Sequence, residues 1–142
     1  MSVWRQMGLG ALVLGICVVI HVTVLGFGID RLNVSGLVAE PGFGARSWIA
    51  LILIAAGIVL TGHIVQVGIW ALAFRRLGAL SEFSEAVYFA LVTTTTLGYG
   101  DVTLDQRFRV FGAMAAVAGL MTYGLSTTFL VGVATGSFST FP

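Results

Sequence analysis

Residues 93–101 read Thr-Thr-Thr-Thr-Leu-Gly-Tyr-Gly-Asp, and long apolar runs stand on both sides of them. Gly98 and Gly100 alternate with larger residues, and glycine adopts positive φ without the clash that a Cβ causes. Such alternation lets successive carbonyl groups align on one side of an extended backbone. A glycine-rich turn between two buried helices would leave the order of the threonines and the aspartate unexplained. We therefore interpret the stretch as a functional segment.

The composition of the chain is that of a membrane protein. Of its 142 residues, 58% are hydrophobic and 9% are charged, whereas soluble domains carry about 25% charged residues. The mean hydropathy is +1.03. A net charge of +1 gives no basic surface for nucleic acid. The single Cys17 excludes an internal disulfide and a cysteine metal site. We find no nucleophile with a base and no paired carboxylates in the spans, so we predict neither enzyme activity nor an organic cofactor.

Charged residues divide the chain into three long apolar spans. Residues 7–29 carry no formal charge and are long enough to cross a bilayer as a helix, so we assign residues 1–46 to an N-terminal transmembrane helix and a connecting loop. Residues 47–74 and about 107–135 predict two further crossing helices within a second unit, residues 47–142. The spans together predict a multi-pass protein of the cell membrane.

A shorter helix is predicted immediately before the segment that opens this section. It extends over about residues 84–95, with Ser84 as its N-cap and Glu85 in its first turn. About eleven residues cover roughly half of a bilayer. The helix therefore enters the membrane and stops, and residues 96–100 lead the chain back to the surface. Non-helical backbone at membrane depth persists only where protein buries it or where it lines water.

Polar residues on the second span share one helical face. His63, Gln66 and Trp70 recur at spacings of three and four. Polar groups at membrane depth face protein more often than lipid, so we expect this face to pack on a neighbouring helix. Proton sensing by His63 is the alternative to a neutral, hydrogen-bonded histidine. His21 on the first span has the same two interpretations.

From residue 47 onward, the order of outer helix, half-helix, segment and inner helix resembles the pore module of tetrameric potassium channels. Residues 96–100 differ from the usual filter sequence T-V-G-Y-G only by Leu97 in place of valine. A small group of bacterial ion channels with three membrane segments is more similar still. The residues that carry this second resemblance are Gly78, Ala79, Phe83, Tyr88, Phe89, Val92, Thr93 and Thr95 to Asp101.

The resemblance implies an all-α membrane protein, a homotetramer in which each chain gives one quarter of a K+-selective filter. The extra N-terminal helix has no counterpart in two-helix channels. The expected partners of the protein are three identical subunits and membrane lipid. Its expected location is a bacterial inner membrane. The resemblance implies roles for the following residues: Thr96, Leu97, Gly98, Tyr99 and Gly100 as the filter, with K+ at the first four; Thr95, Asp101, Tyr88 and Val92 as its support; and Gly119 as a hinge of the inner helix. Counted in steps of four from Gly119, residues Tyr123, Thr127 and Val131 share one helical face. We expect this face to line the cavity below the filter; the alternative is that it packs on a neighbouring helix.

Two departures from the resemblance matter. Some channels have a glutamate on the pore helix that pairs with the aspartate after the filter, but this chain has Val92 there. Asp101 must therefore bond to the Tyr88 hydroxyl or to an arginine, or remain solvated. No span is rich in arginine, so we predict no voltage sensor. The short stretch after the last span also predicts a channel without a cytoplasmic regulatory domain.

Orientation and function leave alternatives open. If the filter faces outward, five arginines lie outside and two inside, which is the reverse of the positive-inside rule; we follow the filter. Leu97 could alter filter packing and give a weakly selective cation channel. The chain could also be a non-conducting membrane subunit that modulates a partner channel.

Overall fold

A computed structural model describes residues 1–34 and 45–136 of the chain. Within these ranges the elements are α1 (Val3–Val34), α2 (Ala45–Arg76), α3 (Phe83–Thr94), a 3₁₀ turn (Gln106–Phe108) and α4 (Arg109–Ala134). Helices α1, α2 and α4 are long and apolar enough to cross a membrane. Helix α3 has 12 residues and rises about 18 Å, little more than half of the hydrocarbon thickness. The predicted all-α architecture with three crossing helices is therefore confirmed.

The beginnings of α1 and α4 lie at the same end of the bundle. The side-chain Oε1 of Gln6 accepts hydrogen bonds from the backbone N–H groups of Val110 and Phe111, at 3.1 and 3.3 Å. These N–H groups belong to the first turn of α4, where a helix has no carbonyl partners of its own. Phe108, the N-cap of α4, makes no side-chain cap bond. Helix α1 therefore caps α4 and runs parallel to it.

The start of α3 differs from the prediction. The helix begins at Phe83, and its N-cap is Glu82, with φ −89° and ψ 133° and no side-chain cap bond. Ser84 already lies inside the first turn, so its predicted role as the N-cap is wrong. The side chain of an N-cap residue reaches the first N–H groups because the backbone of that residue is extended and lies just outside the helix. A residue with helical backbone does not reach them in this way.

Two apolar clusters hold the bundle together. The cluster nearer the segment contains Trp70, Phe74 and Phe111, whose rings are 5.3 to 5.7 Å apart between centroids. The cluster at the other end contains Leu25 and Phe129. Side chains of α1, α2 and α4 contribute to both clusters, and α3 joins only the first. A layer of polar side chains on the same three long helices separates the clusters.

Gly119 sets the distance between α3 and α4. A Cβ added to this glycine would lie 1.9 Å from the backbone carbonyl oxygen of Thr94, the last residue of α3. Gly119 is buried within regular helix. Glycine at this position therefore gives the end of α3 room to approach α4, and this end carries the 96–100 segment.

We expect the variant Gly119→Ala to push the end of α3 away from α4. The added methyl group meets backbone rather than the tip of a flexible side chain, so the expected loss is about 1–3 kcal/mol of stability. Thermal unfolding of the purified protein in detergent measures it. Gly57→Ala is the matched control, because nothing lies within 4 Å of the added Cβ there. Equal melting temperatures for the two variants would contradict the close packing.

Candidate functional site

The backbone of residues 95–100 changes the sign of φ at every step. Thr96, Gly98 and Gly100 have φ values of 62°, 54° and 80°, whereas Thr95 has φ −80°. No other non-glycine residue in the described ranges has positive φ, so Leu97 and Tyr99 complete the alternation. The predicted positive φ of the two glycines is confirmed. Thr96 was not predicted to join them, because a left-handed conformation costs a residue with a Cβ about 1–2 kcal/mol.

Hydrogen bonds attach the beginning of the segment to the end of α3. The N–H of Thr96 donates to the carbonyl of Thr93 at 3.0 Å, and the N–H of Gly98 donates to the carbonyl of Val92 at 3.2 Å. The hydroxyl of Thr95 donates to the carbonyl of Leu91 at 2.7 Å. The free carbonyls that end every α-helix are thereby used to position the segment.

The carbonyl oxygens of residues 95–100 have no hydrogen-bond partner in the part of the chain that the structure describes. Within residues 1–34 and 45–136, no backbone or side-chain donor of the chain bonds to them. All six residues are exposed. Buried backbone carbonyls need a hydrogen bond, water or an ion. The segment therefore presents a run of oxygen atoms that are open to water, an ion or another partner.

Asp101 anchors the far end of the segment. Its Oδ2 accepts a hydrogen bond of 2.5 Å from the hydroxyl of Tyr88 on α3, and its Oδ1 accepts one of 3.0 Å from the N–H of Val102. Of the three partners that the sequence left open, the structure shows the tyrosine. The bond from Tyr88 lowers the pKa of Asp101 below its ordinary value and raises the pKa of Tyr88. Val92, at the place of the glutamate in some channels, is buried.

One side of the segment is only partly packed by side chains of its own chain. A cavity of about 320 Å³ lies there, lined by residues that include Phe89, Gly98, Val102 and Leu104. The side chain of Leu97 is 59% exposed and that of Tyr99 is 69% exposed. Large apolar side chains on an irregular backbone are thus uncovered in a single chain.

A polar cluster joins the three long helices near the middle of the bundle. The Oγ of Ser126 on α4 lies 2.8 Å from Nε2 of His21 on α1 and 3.1 Å from Nε2 of His63 on α2. A hydroxyl has one proton and two lone pairs, so Ser126 can donate to one neutral imidazole and accept from the other. One turn away, the hydroxyl of Thr122 donates to Oε1 of Gln66 at 2.7 Å. Neutral side chains thus pin α1 and α2 to α4.

The face of α2 that carries His63, Gln66 and Trp70 packs on protein, as its spacing predicted. Trp70 is fully buried and its ring is 5.3 Å from that of Phe111 on α4. Sequence analysis missed Ser126 as the hydrogen-bond partner that both histidines share. The available signal was its position four residues after Thr122, which puts two polar groups on one face of an apolar helix.

The residues predicted for the cavity of α4 have different environments. Gly119 is buried against α3, as described above. The ring of Tyr123 stacks on that of His63, with centroids 4.3 Å apart. Thr127 and Val131 are exposed, and the hydroxyl of Thr127 donates to the carbonyl of Tyr123 at 2.9 Å. Tyr123 is also 38% exposed, so in a single chain this face is open from Tyr123 to Val131 and covered at Gly119.

Comparison with known proteins gives one match. The profile of a family described as ion channel matches residues 62–135, just over half of the chain. The matched range contains the face of α2 with His63, Gln66 and Trp70, all of α3, the 96–100 segment and α4, but not α1. No curated protein and no solved structure gave a match.

We expect Ser126→Ala to loosen α1 from the rest of the bundle. The change leaves two imidazole nitrogens without their shared partner in a buried site, which costs about 1–3 kcal/mol. Thermal unfolding measures the loss, and protease cleavage between α1 and α2 reports where the bundle opens. Thr128→Ala is the control, because among the described residues the Thr128 hydroxyl bonds only to the carbonyl of Gly124 in its own helix. A loss no larger than that of the control would show that the cluster does not hold the helices.

We expect Tyr88→Phe to release Asp101 from α3. The bond depends on an ionised Asp101, whose pKa lies below its ordinary 3.8, and on a protonated Tyr88, whose pKa lies above its ordinary 10.0. Its contribution is therefore fully present from about pH 5 to 9, and it is lost as the pH falls through the lowered pKa of Asp101 or rises through the raised pKa of Tyr88.

Melting temperatures of parent and variant against pH measure this contribution. The parent should be the more stable protein at neutral pH, and the difference should shrink in acid. The same substitution in an Asp101→Ala background should have no effect. A difference that survives in that background would assign the stabilisation to something other than this bond.

Proposed function

The chain belongs to the ion channel family, and we propose that it forms a homotetrameric channel that conducts K+ selectively through residues 96–100. The observation that carries the proposal is the run of unpartnered carbonyl oxygens at residues 95–100 on a backbone of alternating φ. Carbonyl oxygens arranged in rings replace the hydration shell of K+ in selectivity filters. In this proposal the backbone oxygens of Thr96, Leu97, Gly98 and Tyr99 bind K+, and the hydroxyl of Thr96 adds an inner ring.

Assembly follows from what one chain cannot do alone. A single segment offers oxygens from one side only, and a dehydrated ion needs them on all sides. Irregular backbone with exposed Leu97 and Tyr99 does not persist against lipid, because its carbonyls would be unsatisfied there. Copies of the chain around an axis resolve both problems, since the oxygens face the axis while neighbouring chains cover the apolar side chains. Cyclic symmetry closes such a ring without open ends.

The surrounding structure supports the proposed filter. The bond between Tyr88 and Asp101 and the contact between Thr94 and Gly119 fix the two ends of the segment against α3 and α4. Below the segment, the exposed Thr127 and Val131 on α4 are the proposed cavity wall, with Val131 as the apolar ring that narrows its mouth. Tyr123 joins this wall by its edge, since its ring face lies on His63.

Gly98→Ala tests the proposal. A Cβ at φ 54° strains the backbone, and four copies multiply the distortion of the proposed oxygen rings. We expect parent protein in liposomes to release K+ but not Na+, and the variant to lose this flux or its selectivity. Gly78→Ala is the matched control, because Gly78 has φ 69° and open space around its missing Cβ but lies outside the segment.

Assembly is measured in the same preparations. Light scattering in detergent should give about 60 kDa of protein for parent and both variants, which is four times the 14.9 kDa of one chain. Unchanged flux and selectivity in the Gly98→Ala variant would show that residues 96–100 do not form the conduction path. A stable monomer or trimer would contradict the ring of four chains.

A further inference from the structure

A groove lies between α1 and α2, towards the end of the bundle away from the 96–100 segment. Its volume is about 570 Å³, and its lining includes Val24 and Phe27 of α1 and Ile54 and Ile58 of α2. Phe27 and Ile54 are 57% and 46% exposed. This groove takes no part in the proposed conduction path, and α1 lies outside the range that the ion channel profile matches.

The wall of the groove presents almost no polar atoms. Two threonines contribute to it, Thr23 and Thr61. Their hydroxyls donate to carbonyls of their own helices, Val19 and Gly57, each at 2.8 Å. Because each hydroxyl proton is already used one turn back, the threonines offer mainly their methyl groups. The surface therefore suits a hydrocarbon chain rather than a polar ligand.

The groove has a fixed shape. Gly28 also lines it, and a Cβ added to Gly28 would lie 2.9 Å from a methyl carbon of Ile58. The two helices are thus in direct contact at the groove, and the His21–Ser126–His63 cluster holds them from the other side. A groove that exists before binding saves the cost of ordering its walls.

A cation stands at one end of the groove. Arg31 lines it, and its guanidinium carbon lies 4.5 Å from the centroid of the Phe27 ring. Within residues 1–34 and 45–136, no carboxylate oxygen lies close enough to the guanidinium of Arg31 to form a salt bridge, for which the limit is 4.0 Å. The residue belongs to the last turn of α1, at the edge of the apolar span that ends at Leu32. In a bilayer, this edge is the level of the lipid phosphates.

We propose that the groove binds one anionic phospholipid from the adjoining leaflet. The acyl chain lies along Val24, Phe27, Ile54 and Ile58, and the phosphate accepts hydrogen bonds from the guanidinium of Arg31. From Thr23 to Arg31 the helix rises about 12 Å, which accommodates the upper part of an acyl chain. Arginine holds phosphate with paired, charge-assisted hydrogen bonds. A second cation at this end, Arg46 in the first turn of α2, adds to the attraction for a net negative head group.

Native mass spectrometry of the full-length protein tests the proposal. Detergent-solubilised protein is titrated with dioleoyl phosphatidylglycerol or with dioleoyl phosphatidylcholine, which carry the same acyl chains, and bound lipid is counted. We expect phosphatidylglycerol to bind about fivefold more tightly, the factor that corresponds to the attraction of one arginine near a membrane surface. Equal affinity for the two lipids would overturn the proposal.

Two pairs of variants locate the site. Arg31→Gln should abolish the preference for phosphatidylglycerol, whereas Arg46→Gln, at the same end but outside the lining, should largely keep it. Ile54→Trp should fill the groove and reduce binding of both lipids, whereas Leu53→Trp should not, because Leu53 is 66% exposed but does not line the groove. Equal losses for the two arginine variants would reduce the effect to a diffuse charge attraction and contradict the site. Full lipid binding by Ile54→Trp would also contradict the proposed site. Loss of subunit assembly in that variant alone would contradict it as well, because it would show that another copy of the chain covers the groove.

Discussion

The carbonyl oxygens of residues 95–100, which no donor among the described residues satisfies, are the constraint on which the rest of the structure depends, because a membrane tolerates backbone only when its polar groups are satisfied. Helix α3 stops after 12 residues, and its last carbonyls hold the segment in place through the N–H groups of Thr96 and Gly98. Asp101 fixes the exit of the segment through Tyr88. Among the described residues, these bonds position the segment and none of them uses its carbonyl oxygens, which is what the proposed cation site requires.

The three long helices form the frame that makes this arrangement rigid. Gly119 lets the end of α3 rest on α4, while Trp70, Phe74 and Phe111 fill the space around it. Helix α1 contributes twice, at Gln6 with a cap for α4 and at His21 with one arm of the polar cluster. Both contacts are made to α4, the helix that also carries the proposed cavity. The first helix therefore packs into the same bundle and supports α4 directly.

Local sequence patterns predicted those features that depend on neighbours along the chain. The lengths of the apolar runs predicted three crossing helices and one half-helix, and the glycines predicted positive φ at residues 98 and 100. The spacing of His63, Gln66 and Trp70 predicted a face that packs on protein. Asp101 had three open partners in sequence, and its distance to Tyr88 could be decided only by the path of the segment around the end of α3.

Contacts between distant positions were beyond such patterns. Ser126 meets His21 across 105 residues and His63 across 63 residues, and no period along one helix reports a bond to another. The resemblance to potassium channels implied a hinge at Gly119, and the structure gives a different reason for glycine there, the space needed by the carbonyl of Thr94. The positive φ of Thr96 is imposed by its surroundings against the preference of a β-branched residue.

The central claim is that oxygens of residues 96–99 select K+ over Na+, and the reversal potential of the purified protein in a planar bilayer tests it most directly. With K+ on one side and an equal concentration of Na+ on the other, the account predicts a current that reverses far from zero voltage, in the direction that opposes K+ flow. Reversal at zero voltage would mean that the pore does not distinguish the two ions, and the filter assignment would then be wrong.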